Sequence, residues 1–175
     1  MSTIEDAEFD YETYMNEISL DSVKIHYGKE AREKRREIAI RALTYFNRGS
    51  DYQVAGAYDR AIENLNKAID LKPKYVQAYF NRGTAYRDKG AYDRAIADYS
   101  KAIKLNPDYA LAYFNRGLCW QILQNWRSAR SDLTFARQMG MNIIVTFRKN
   151  YENVAAFERR HGVQLPKDIA AMLTP

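Results

Sequence analysis

The sequence predicts an all-α protein built by stacking helix pairs, and three observations predict it. The string Tyr-Phe-Asn-Arg-Gly stands at 45–49, 79–83 and 113–117, with the same offset of 34 residues each time. Other positions keep that period: Tyr52, Tyr86 and Trp120; Tyr58, Tyr92 and Trp126; Ala61, Ala95 and Ala129; Ala68, Ala102 and Ala136. Pro73 and Pro107 close the first two units. A fixed period of this length marks an array in which each unit buries its apolar face on the next. The units are placed at 42–75, 76–109 and 110–143.

Each recurring residue has a physical role. Gly49, Gly83 and Gly117 have no side chain, so the second helix of a unit can approach the first closely. The alanines at 61, 95 and 129 serve the same approach from the other side. Gly56 and Gly90 permit the left-handed backbone that ends the first helix, and Pro73 and Pro107 stop the second. The third unit departs from this pattern, with Gln124 at the turn and Met141 at the close. Its second helix is therefore expected to run on or to turn differently. Asp51 stands where Ala85 and Cys119 stand, an irregularity at the N-terminal end. Cys119 itself is read as a small core residue.

The pattern resembles the tetratricopeptide repeat family, whose unit is two antiparallel helices in 34 residues. That resemblance implies a right-handed superhelical stack whose first helices line a concave surface. Ala42, Val76 and Ala110 are counted as position 1. Helical periodicity then puts positions 4, 8 and 11 on a core arc and positions 2, 5, 6, 9, 12 and 13 on a second. By the resemblance, the second arc faces the groove. It holds Phe46, Phe80 and Phe114 at position 5, and Asn47, Asn81 and Asn115 at position 6. Leu43, Gln77 and Leu111 lie beside them, with Gln53, Arg87 and Gln121 deeper.

Regularly spaced phenylalanines suit apolar anchors. Asparagine pairs with both polar groups of a passing peptide unit. The expected peptide-binding residues are Phe46, Asn47, Phe80, Asn81, Arg87, Leu111, Phe114, Asn115 and Gln121. The asparagines resemble the ladder in the superhelix of O-linked N-acetylglucosamine transferases, in the groove alone. A two-carboxylate clamp for chaperone tails is a different subtype. The family resemblance puts its residues at Phe46, Ser50, Asn81, Leu111 and Asn115, and only Asn81 matches. Arg48, Arg82 and Arg116 are expected to lie over the core with their heads in water.

The flanks read differently. Residues 1–23 carry seven acids and no base, against a whole-chain charge of +5, and form an acidic tail. Residues 24–41 read as a basic helix. Ile144, Phe147, Tyr151, Val154 and Phe157 recur at helical spacing, Gly162 ends that helix, and Pro166, Ile169 and Leu173 suggest a short final one. Residues 144–175 are therefore assigned as a capping segment, because a terminal repeat needs a polar outside.

No stretch approaches the ~20 apolar residues needed to cross a bilayer, and the acidic start differs from a secretory signal; a cytoplasmic protein is expected. One cysteine and two histidines leave no disulfide, metal or cofactor site to expect. No phosphate loop, nucleophile elbow or paired-carboxylate motif suggests an enzyme. The expected function is a non-enzymatic adaptor or scaffold that binds a protein or peptide partner in the groove. Self-association into a homo-oligomer, with the acidic tail docked on a basic array, is the alternative. A pI near 9.2 raises nucleic-acid binding, but Asp59, Glu63, Asp93 and Asp98 interleave with the bases and argue against it.

Overall fold

The computed structural model describes residues 29–175, and its described residues are helical and loop, with no strand. The acidic tail at 1–23 lies outside them. The chain divides into two compact units between Ile38 and Ala39. Helix α1 is Lys29–Val54; of the basic helix expected at 24–41, residues 24–28 lie outside the described residues. Within residues 39–175 follow α2 Tyr58–Leu71, α3 Val76–Asp88, α4 Tyr92–Leu105, α5 Ala110–Ile122 and α6 Trp126–Gln138. The C-terminal segment adds α7 Ile143–Asn150, α8 Val154–His161 and α9 Lys167–Leu173. Helices α3 and α5 start at the residues where the repeat units begin.

Close approach within each pair rests on the missing Cβ. A Cβ at Gly49 would stand 2.7 Å from Leu65 Cγ, and one at Gly83 would stand 3.0 Å from the Tyr99 ring. Ala61, Leu65, Ala68, Ala95, Tyr99 and Ala102 come from the second helices and are buried. Neighbouring helices pack in chain order, α2 on α3, α3 on α4, α4 on α5 and α5 on α6, so each repeat touches mainly its neighbours.

The three turns inside the repeats share one hydrogen-bond pattern. Ala57, Ala91 and Asn125 each donate their N–H to the carbonyl five residues back, on Tyr52, Tyr86 and Trp120, at 2.8 Å. Gly56, Gly90 and Gln124 donate to Gln53, Arg87 and Gln121 at 2.9–3.0 Å. This closure needs a left-handed residue, and Gln124 supplies it at φ 58°. The third unit thus turns as its neighbours do. Nor does its second helix run on, because Gly140 at φ 82° ends it and Asn142 caps α7 by accepting from Val145 N–H.

The capping segment differs from expectation. The apolar period from Ile144 to Phe157 belongs to two helices, because Tyr151 is extended (φ −140°, ψ 134°). Asn153 then starts α8 by accepting the Ala156 N–H at 2.9 Å. A local cap has overridden the period. Gly162 (φ 65°) ends α8, and the Glu158 side chain takes the Leu165 N–H at 2.8 Å. Arg130 and Asp168 form an ion pair that ties α9 to α6. Asp51 is exposed, so the irregular first unit buries no carboxylate.

Candidate functional site: the inner wall of the array

Position 7 pins the wall in place. Arg82 donates to both carboxylate oxygens of Asp98 at 2.7 Å and to Asn66 Oδ1 at 2.7 Å. Arg116 repeats this with Asp132 at 2.8 Å and Ser100 Oγ at 2.9 Å. Each guanidinium therefore joins the second helix of its own repeat to that of the preceding one. Burial works to lower the Arg82 pKa, but Asp98 raises it; in Arg116, Asp132 leads the same outcome. The expectation that these arginines leave their heads in water is corrected for 82 and 116. It fits Arg48 alone, which is exposed and has Asn64 at the Asp98 position.

The phenylalanines of position 5 are seam residues. Phe46 lies 5.0 Å from the Tyr75 ring. Phe80 lies 4.9 Å from Tyr109 and 5.7 Å from Tyr99. Both are half-buried, against the aromatic residues that close their units. Tyr75, Tyr109 and Ile143 themselves stand 34 residues apart, a periodicity that could have revealed these partners. Phe114 is fully buried, in one apolar core with Ile143, Phe147, Phe157 and Val163. The phenylalanines therefore do not stand free as ligand anchors, because Tyr75 and Tyr109 at the close of their own units, and the C-terminal helices at Phe114, pack against them.

What faces outward is polar or aliphatic. Asn47 is exposed, and Leu43 and Leu111 are 50% and 41% exposed. Asn81 is half-buried and donates to Ser50 Oγ at 2.9 Å, while Ser50 donates to the Phe46 carbonyl at 3.0 Å. The amide of one repeat is thus braced by a hydroxyl of the one before. Thr84 takes a hydrogen bond from the Tyr99 hydroxyl at 3.1 Å.

The third repeat is covered. Asn115 is buried and accepts from Arg87 Nη1 at 2.8 Å. Arg87 also donates from Nε and Nη2 to Asp88 Oδ1 at 2.9 and 2.8 Å. Burial opposes its charge, but Tyr99 and Asp88 keep it protonated. Gln121 is fully buried, and neither its Oε1 nor its Nε2 meets a hydrogen-bonding partner in the protein. The expectation that Phe114, Asn115 and Gln121 line an open groove is corrected: all three are buried, and Phe114 shares its core with α7 to α9.

Helix α8 reaches back as far as the second repeat. His161 Nδ1 lies 3.3 Å from the Tyr92 hydroxyl, and its Nε2 lies 2.9 Å from the Tyr151 hydroxyl. A neutral imidazole has one donor and one acceptor, so one tyrosine donates and the other accepts. Burial first, then the charges of Arg160 and Arg87, hold the His161 pKa below its ordinary value. Cys119 lies nearby and buried, and burial pushes its thiol up to about 12. Among the described residues no cluster of His, Cys, Asp or Glu could hold a metal ion. No described helix is long and apolar enough to cross a membrane.

Comparison with known proteins follows this geometry. A TPR repeat family model matches residues 49–86 and 83–119. No curated protein matches the sequence. Among solved structures, the first TPR of Spaghetti (RPAP3), bound to an HSP90 peptide, is 29% identical with a TM-score of 0.59. That match covers 63% of this chain and 90% of that one. The second TPR domain of human RPAP3, in complex with an HSP70 peptide, is 27% identical with a TM-score of 0.57, over 64% and 92%. MamA is 26% identical with a TM-score of 0.56, over 74% and 73%. Repeat period, stacked helix pairs and the family model agree that residues 49–119 are built of tetratricopeptide repeats.

Proposed function

We propose that the chain is a non-enzymatic adaptor that binds an extended peptide segment of a partner along the inner wall of its first two repeats and the exposed start of the third. One observation carries this reading: Leu43, Asn47, Asn81 and Leu111 recur on accessible first-helix positions, with Asn81 held in place by Ser50. Aliphatic side chains would take alternate apolar residues of the ligand, and amides would pair with its backbone. The relatives solved with HSP90 or HSP70 peptides support a peptide as the ligand class.

The ligand chemistry differs from a carboxylate-terminated tail. Leu111 and Ser50 stand where the clamp of chaperone-tail binders would hold a lysine and an asparagine, and Arg87 is engaged with Asp88 and Asn115. Neutral and apolar peptides are therefore favoured over acidic ones. The test is affinity capture from the native host with wild type, Asn47→Ala/Asn81→Ala, and a control at the exposed outer residue Lys101. A partner lost only by the double variant, at unchanged melting temperature, supports the reading. A partner retained by all three removes it.

A further inference from the structure

We infer that α8 is a displaceable occupant of the inner wall, a segment of the chain that closes the third repeat until a peptide takes its place. This rests on the peptide-binding reading of that wall. Three observations carry it.

First, positions 5, 6 and 12 of the third repeat are buried, whereas their counterparts in the first two repeats are half-buried or exposed. Phe114 at position 5 shares its core with residues of the C-terminal helices, Phe157 of α8 among them. Second, the cover is imperfect. Gln121 is fully buried with both amide atoms unpartnered, and a buried amide left in that state destabilises the arrangement that buries it. Its amide would pair with the backbone of a peptide laid along the wall.

Third, the side-chain hydrogen bonding that joins α8 to the repeats among the described residues is the junction Tyr92–His161, extended to Tyr151, beside the single buried ring of Phe157. Helix α8 has eight residues, bounded by the extended Tyr151–Asn153 stretch and by Gly162. Its exit as a unit would withdraw the Phe157 ring from the shared core and leave α7 as the cap on α6. Closed, the chain presents two repeats to a ligand; open, it presents three, with Phe114 and Gln121 added. Occupancy of the third repeat becomes a competition between an internal segment and a partner.

The test uses the full chain and a fluorescein-labelled peptide of its own residues 150–164. His161→Ala weakens the internal segment, while the labelled peptide keeps its histidine and all its contacts. Losing that junction should tighten peptide binding by about 10-fold over wild type, and Tyr92→Phe in the same chain should abolish the gain. Hydrogen exchange of α8 amides should accelerate by about 10-fold in His161→Ala while α5 amides stay protected. Gln121→Leu should act oppositely and slow α8 exchange several-fold.

Equal peptide affinity for wild type and His161→Ala overturns the inference, as does α8 exchanging in step with α5. Failure of His161→Ala to fold also overturns it, because α8 would then be integral to the core. A partner indifferent to Asn47 and Asn81 would remove the adaptor reading yet leave the peptide-exchange result standing, so the two can fail separately.

Discussion

Arg82 and Asp98 face each other in a parallel, two-bond grip, with 2.7 Å at each contact, on the boundary between the core and the inner wall. The same grip recurs one repeat later in Arg116 and Asp132. Both aspartates are buried, so their charges depend on the guanidinium for solvation. Asp98→Ala should cost about 3 kcal/mol by stranding Arg82. The first repeat lacks the carboxylate, and Asn64→Asp opposite exposed Arg48 should add no more than about 1 kcal/mol. Urea unfolding of the three proteins checks both signs.

The phenylalanines separate stability from binding. Phe114→Ala removes a fully buried ring and should cost about 3–5 kcal/mol. Leu111→Ala, on the open wall, should change stability by less than about 0.5 kcal/mol while weakening partner binding. Thermal melts beside capture assays distinguish them. A large stability loss at Leu111 would mean that it, too, is a seam residue.

Gln124 holds the left-handed turn that glycine holds in the other repeats. A non-glycine residue there carries about 1–2 kcal/mol of backbone strain. Gln124→Gly should therefore raise stability by about 1 kcal/mol, and Gly90→Ala should lower it by a similar amount. The paired measurement is a urea midpoint for each variant.

Much of the fold was legible because repetition is visible without knowing any contact. The glycines, alanines and prolines of the period placed the helix pairs, and α3 and α5 begin at Val76 and Ala110 as the units do. The candidate site was less legible. An angular count around one helix orders its side chains but does not say what the rest of the array lays over them. Position 5 sits at the edge of its arc, and Tyr75 and Tyr109 take it into the seam. The partnership of Arg82 with Asp98 was hidden similarly, although both recur at 34 residues. The break before α8 was hidden because Asn153 caps a new helix inside an apolar period that otherwise reads through.

Acidification should loosen the α8 junction. The folded environment disfavours protonated His161, first by burial and then through Arg160 and Arg87; the tyrosines at 92 and 151 stay uncharged. Its folded pKa is below the ordinary 6.5, so the unfolded chain binds the proton more readily. The stability this contributes is present above about 6.5 and is lost as pH falls through the folded pKa. The melting temperature of wild type relative to His161→Gln should fall between pH 7 and 5. An unchanged difference would place His161 in solvent.

Cys119 should be inert in the native chain. Its thiol is buried and stays protonated at neutral pH, so an aromatic disulfide reagent should label it at least about 100-fold more slowly than in urea.

The most direct test of the account installs a photo-crosslinking amino acid at single positions and irradiates the protein in its native host. Positions 43, 77 and 111 sample the inner wall, and 97 and 101 sample exposed outer positions of α4. The account predicts one partner joined through 43, 77 and 111, with its cross-linked residues running in order along a single peptide, and nothing from 97 or 101. Cross-links that arise from the outer positions and not from the inner ones would contradict it.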